Sequence, residues 1–338
     1  MFKLLLLLFS LNLFAGDGSY AVVLQYHRIG ESKYPSTNTS KALFEKHLAY
    51  LQKHNFHVLT LSDVIDKLKN HKPLPSKTAV ITIDDAYISV YKNGYPLLQK
   101  YHFPATIFVN SAPILHHSKS FMTLDQMREM GKSGSEFANH THTHQYLARY
   151  DDANLVKKVT QEILRCETFL EENLQPYLSK YKMVAYPFGE YDVRVIGVMK
   201  KLGYIGVAQN SGAIDEHSNF MALTRFPMAT RFGGMKSFAL KVNTKPLPIE
   251  SIDKEDTFVT RENNPPQLNV TLQKSLQGIN CFTSNGERIP LEKISALQFH
   301  IEAKKPLHYP RDHYTCTARA KDGSWYWYSK MWVVKQEE

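Results

Sequence analysis

The chain has 338 residues, 43% of them hydrophobic and 22% charged, which is the balance of an ordinary globular protein able to bury one large core or two modest ones. Of the net charge of +9, Lys3 carries one unit and the stretch from Lys245 onward holds 13 Lys and Arg against 12 Asp and Glu, so +7 resides between Gly16 and Thr244; this suits an anionic polymer or an envelope surface, and equally plain solubility. There is no clustered basic helix or binding motif for nucleic acid, and no stretch after the N-terminus is long and apolar enough to span a bilayer.

At the N-terminus, Lys3 precedes an apolar run, unbroken from Leu4 to Phe9, then interrupted by Ser10 and Asn12, and ending in the small residues Ala15 and Gly16. This is the pattern of a secretory signal peptide over residues 1–16, and the run is too short for a membrane anchor. Export places the three cysteines in an oxidising compartment. Cys281 and Cys316 lie in strand-like segments and can bridge, whereas Cys166 sits in a helical pattern; no pair has thiolate zinc spacing.

From Tyr20 to about Phe238, β-branched runs alternate with helical patterns, the mark of parallel β-α units. Candidate strands are Ala21–Leu24, Ala79–Ile83, Ala105–Val109, Glu136–Ala138, Met183–Tyr186 and Ile205–Ala208. Between them, Phe44, Leu48 and Leu51 recur at helical spacing, Val64, Ile65 and Leu68 follow a start signal at Ser62 and Asp63, and a long helix spans Asp152 to about Leu174. Lys245-Pro246-Leu247-Pro248 reads as a linker. Beyond it the chain looks all-β, with strands at Gln267–Leu272, Gln298–Ile301, Tyr314–Ala318 and Trp325–Val334, and turns at Ser284-Asn285-Gly286 and Lys321-Asp322-Gly323. Three segments are expected: a signal peptide at 1–16, an α/β layered or barrel catalytic domain at 17–244, and a β-sandwich-like domain at 245–338.

Two motifs carry chemistry. Ile81-Thr82-Ile83-Asp84-Asp85 is a strand running into adjacent carboxylates, and strand C-termini are where α/β barrels collect catalytic groups. One carboxylate can bind a cation while the other takes a proton; the plain alternative is that Asp85 caps the next helix. His140-Thr141-His142-Thr143-His144 places imidazoles at i and i+4, which face one way if a helical turn follows His140. With Asp85 they form a His, His, carboxylate set for a divalent ion, with His142 pointing elsewhere.

These residues resemble the polysaccharide deacetylase family, the NodB-homology carbohydrate esterases, nearest the branch of secreted poly-N-acetylglucosamine deacetylases. Thr82-Ile83-Asp84-Asp85 is similar to the family's first motif and His140-Thr141-x-x-His144 to its second, with further likeness at Leu24-Gln25-Tyr26-His27-Arg28 and Phe103-Pro104-Ala105-Thr106-Ile107-Phe108. The resemblance implies a distorted seven-stranded (β/α) barrel, with Asp84 as base, Asp85, His140 and His144 holding Zn2+ (or Co2+ or Ni2+), the backbone N–H of Phe188 at the oxyanion, and an acetylated polysaccharide as substrate. The sequence departs from the family at three places. Ala185-Tyr186-Pro187-Phe188 lacks the Arg of the third motif, the fourth motif is not recognisable, and the general-acid His of the last is absent, leaving only His217 in a polar loop. Arg225, in Leu223-Thr224-Arg225-Phe226-Pro227, is a candidate replacement guanidinium, with a surface ion pair as the alternative. His27, at a strand end, is a candidate site residue or a hydrogen-bonded core residue.

The expected activity is N-deacetylation of an N-acetylglucosamine polymer. An O-acetyl esterase and a non-catalytic glycan-binding protein are the alternatives, because an alkoxide leaves with less acid help than an amide nitrogen. The aromatic run Trp325-Tyr326-Trp327-Tyr328 reads either as packing or as a sugar platform, since one face of the strand must be buried.

Overall fold

The computed structural model describes residues 19–335; the expected signal peptide lies outside them. Seven strands follow one another across the main sheet in the order Ala213–Asp215, Tyr20–Tyr26, Thr78–Asp84, Thr106–Val109, Glu136–Asn139, Met183–Ala185 and Ile205–Val207. All pairings along this path are parallel except that of Ala213–Asp215 with the first strand. His57–Leu59 and Phe226–Pro227 add short parallel pairings. The sheet curls as a half-barrel clad in helices, and its central strands are buried along their whole length, which is why they read as unbroken apolar runs.

The helices follow their caps. Lys41–Lys53 starts at Ser40, whose hydroxyl accepts the Leu43 N–H, and buries Phe44, His47, Leu48 and Leu51. Asp152–Leu174 starts at Asp151 and lays Leu155, Val159, Ile163, Cys166 and Leu170 against the sheet. The second helix, Leu61–Lys69, begins earlier than Ser62 and Asp63 suggest. Thr60 is its cap, and the Ser62 hydroxyl instead accepts the backbone N–H of Lys180.

The C-terminal region is a β-sandwich. A six-stranded sheet is built on Arg311–Arg319 and Trp325–Val334, and a four-stranded sheet on Gln267–Leu272 and Gln298–Glu302. Leu268, Val270, Phe299 and Ile301 of one sheet share a core with Tyr314, Cys316 and Trp332 of the other. Cys281 and Cys316 are cross-strand neighbours joined by a disulfide, and Cys166 is free and buried.

The proline-bearing stretch is not a free linker. Thr244–Pro246 pairs in parallel with Trp325–Trp327, and the N–H of Leu247 donates to the Trp327 carbonyl; proline is tolerated because it closes a short strand at the sheet edge. The aromatic run packs on both faces. Tyr326 and Tyr328 face the sandwich core, whereas Trp327 meets Phe226 edge-on at 5.5 Å and Ser329 donates to the Ser211 carbonyl.

Candidate active site

Strand Thr78–Asp84 runs into two adjacent carboxylates that meet different surroundings. Asp84 is the last strand residue and is fully buried, while Asp85 turns away with φ 71°. Residues with positive φ that lack glycine's freedom cost free energy and gather at functional sites.

Asp84 is saturated with donors. Arg225 Nη1 donates to Oδ1 at 2.6 Å, Nη2 donates to Oδ2 at 2.9 Å, and Gln25 Nε2 donates to Oδ2 at 2.7 Å. The guanidinium is itself wholly buried and anchored by the Ala208 carbonyl and the Thr82 hydroxyl. Burial pushes the Asp84 carboxyl up, but Arg225, His140 and His27 outweigh it and hold it well below the usual carboxylate range. Nε2 of His27, one strand over, lies 3.7 Å from Asp84 Oδ2, with its side chain 19% exposed.

Asp85 faces imidazoles instead. Its Oδ1 is 3.5 Å from Nε2 of His140 and 3.5 Å from Nε2 of His144. The helical turn expected after His140 is not formed. Asn139 Oδ1 accepts the Thr141 N–H, the Thr141 hydroxyl accepts the His144 N–H, and Thr143 donates twice to Glu162. These side-chain bonds close a tight loop with positive φ at Thr141 and His144, and it is the loop that brings the two rings to 4.8 Å. His142 points away and bonds the Ser111 hydroxyl at 2.7 Å.

The chemistry of His140 follows from its partners. Nδ1 lies 2.7 Å from the Ala185 carbonyl, which can only accept, so in the neutral ring Nδ1 carries the proton. That leaves an acceptor lone pair on Nε2, which is buried and has no hydrogen-bond partner. An unpaired buried polar atom costs on the order of 1–3 kcal/mol. Burial lowers the His140 pKa to about 4 and also lowers that of His144, keeping both rings neutral, as metal ligation requires. The ligand atoms of Asp85, His140 and His144 lie within 4.8 Å of one another, and its two 3.5 Å separations are near the ~3–3.4 Å between atoms sharing one ion at about 2.1 Å. The donor set and the orphaned nitrogen therefore fit a divalent cation.

Phe188 sits in the left-handed region at φ 57° on the loop after strand Met183–Ala185, with its ring 4.6 Å from His144. His217 lies in an exposed turn beside Glu216. Sequence reasoning missed Gln25, whose donation to Asp84 spans 59 positions. It also missed Tyr87, whose hydroxyl burial pushes up to about 12, with Asp85 adding to the effect.

Residues 71–207 match the family model described as polysaccharide deacetylase. That segment contains Asp84, Asp85, His140, His144 and Phe188 but not His27 or Arg225. A poly-beta-1,6-N-acetyl-D-glucosamine N-deacetylase of Staphylococcus aureus is 27% identical over 222 residues, covering 59% of this chain and 75% of that protein. Among solved structures, a Streptococcus pyogenes deacetylase, PplD, in complex with acetate aligns with TM-score 0.60 and 24% identity over 67% of this chain and 99% of that one. A de-N-acetylase from Aggregatibacter actinomycetemcomitans aligns with TM-score 0.56 and 21% identity over 65% and 100%. These structural likenesses are of fold.

Proposed function

The chain belongs to the polysaccharide deacetylase family, and we propose that it is an exported, divalent-metal-dependent hydrolase removing N-acetyl groups from a poly-N-acetylglucosamine-type polysaccharide. The observation that carries the reading is the unpaired, buried Nε2 of His140 beside Asp85 and His144. Two imidazoles and one carboxylate suit zinc and leave positions open for water and substrate. Bound there, the ion would supply Lewis-acid polarisation of the acetyl carbonyl and ease ionisation of water.

The protein's own groups do the rest. Asp84, kept ionised and aimed by Arg225 and Gln25, accepts the proton of the attacking water. His27, 3.7 Å away and partly open to solvent, is placed to relay that proton to the departing amine. The backbone N–H of Phe188 is the proposed donor to the oxyanion. Arg225 supplies the guanidinium that Ala185 cannot. The disulfide supports export, since such bridges persist in oxidising compartments, and among the described residues no helix is long and apolar enough to cross a membrane.

The test is acetate release from β-1,6-linked N-acetylglucosamine oligomers, before and after chelation and with zinc restored. Release that disappears on chelation and returns with zinc is the expected result. Release only from O-acetylated oligomers would reassign the enzyme as an esterase, and glycan binding without release from either would make it a binding protein.

A further inference from the structure

Two tyrosines are among the exposed large side chains of the described residues, Tyr34 at 41% and Tyr309 at 49%. Each ends a stack of planar groups that begins at one of the candidate metal ligands. On one flank, Tyr87 follows Asp85 by two residues, the Arg28 guanidinium lies 3.3 Å over the Tyr87 ring, and the same guanidinium lies 3.9 Å over Tyr34. On the other, His144 meets Phe188 at 4.6 Å, Phe188 stacks on Tyr146 at 3.7 Å and 10°, Arg149 lies 4.2 Å over Tyr146, and its Nη1 donates to the Tyr309 hydroxyl at 3.1 Å.

The two stacks belong to opposite sides of the site. Arg28 and Tyr87 follow strands Tyr20–Tyr26 and Thr78–Asp84, whereas Tyr146 and Phe188 follow Glu136–Asn139 and Met183–Ala185, with Thr106–Val109 between the pairs in the sheet. The second stack crosses into the C-terminal sandwich. Glu190, fully buried, accepts two bonds from Arg149 at 2.8 and 2.7 Å and one from Arg311 at 2.7 Å, fixing the Tyr309 segment beside the site.

We infer that the site binds its glycan across the metal position, with sugar units on both flanks, and that Tyr34 and Tyr309 are the outer platforms, the latter contributed by the C-terminal sandwich. Pyranose rings present apolar C–H faces and hydroxyl edges, which match exposed tyrosine faces backed by guanidinium donors. A rigid two-χ aromatic loses little conformational freedom on binding. The inference rests on the reading of the substrate as an acetylated polysaccharide and gives the sandwich a role in holding it.

The test measures affinity of the full chain, stripped of metal, for β-1,6-linked N-acetylglucosamine dimer and hexamer by calorimetry, with acetate release by the metal-loaded wild type in parallel. Expected is a hexamer bound at least ~10-fold tighter than the dimer, with Tyr34→Ala and Tyr309→Ala each removing most of that gain. Tyr34→Phe and Tyr309→Phe keep it, which separates ring stacking from altered folding. In turnover, the alanine variants should raise KM for the hexamer ~10-fold with a much smaller change in kcat. Equal affinity of the wild type for dimer and hexamer, or full hexamer affinity in both alanine variants, overturns the inference even if acetate is released. Length-dependent binding lost in the alanine variants, with no acetate released by the wild type, upholds the inference and rejects catalysis.

Discussion

Two buried imidazoles in this protein have nearly the same environment and different partners. His47, on helix Lys41–Lys53, is fully buried, stacks on Phe238 at 4.0 Å and has its pKa lowered to about 4 by burial, as does His140. The Gly233 carbonyl lies 2.6 Å from Nε2 of His47, so that nitrogen carries the proton of the neutral ring and Nδ1 accepts the Tyr26 hydroxyl at 3.0 Å. Both nitrogens are therefore satisfied. His140 satisfies one nitrogen and leaves the other aimed at Asp85 and His144. The carboxylates repeat the contrast, Asp84 taking three donated hydrogen bonds and Asp85 facing two rings that can themselves bind a cation. Burial alone does not mark a functional group. Nor does an unfilled valence by itself, since Nε2 of His313 is also buried and unpaired; what sets His140 apart is an unpaired nitrogen facing a carboxylate and a second imidazole, a set whose cost an external cation can relieve.

The largest expected effect tests the unfilled side. His140→Ala or Asp85→Ala should lower kcat/KM for an N-acetylated oligomer by about 10³-fold or more, a barrier increase of over ~4 kcal/mol. Bound zinc, measured by elemental analysis, should fall with it. A His140→Ala protein that keeps both metal and turnover would remove the basis of the contrast. The next effect tests the saturated side. Arg225→Met strands the buried Asp84 charge and should cost about 3–5 kcal/mol in denaturant unfolding. Adding Asp84→Asn should recover part of that stability and none of the activity, while zinc content stays near one per chain.

Much of this was legible in the sequence. The central strands are buried on both faces, so their apolar runs have no competing reading, and the Asp151-capped helix reads correctly from Asp152 to Leu174. Asp84, Asp85, His140 and His144 could be named because each motif is short and contiguous. The loop that joins the two histidines could not, because its shape depends on Asn139, Thr141 and the distant Glu162. The pairing of Arg225 with Asp84 spans 141 positions and leaves no local pattern that separates it from a surface ion pair. Lys245-Pro246-Leu247-Pro248 reads as a linker because its two prolines are a local signal, whereas the pairing of Thr244–Pro246 is three residues long and made with a strand distant in sequence.

A third, smaller effect concerns His47→Ala, which removes two hydrogen bonds and a stacked ring and should destabilise the fold by about 2–4 kcal/mol. Turnover per folded molecule and zinc content should be unchanged. In metal-free protein His140→Ala should cost less than this, since it deletes an unpaired nitrogen along with its ring; the reverse order would break the comparison.

The smallest effect is the pH dependence of the same pocket. His47 has its pKa lowered from the ordinary value of 6.5 to about 4 in the folded chain. As pH falls below about 6.5, the unfolded chain takes up the proton first, so unfolding is favoured. The contribution of the neutral ring is complete above about 6.5 and is lost progressively down to about 4, amounting to on the order of 2–3 kcal/mol. His47→Gln offers a donor and an acceptor to the same two partners but cannot titrate. Urea unfolding of metal-free protein at pH 7 and pH 4.5 should therefore show a smaller stability loss in His47→Gln than in the wild type. Equal losses would mean that the acid sensitivity lies elsewhere, and that the saturated imidazole is not held neutral by its pocket.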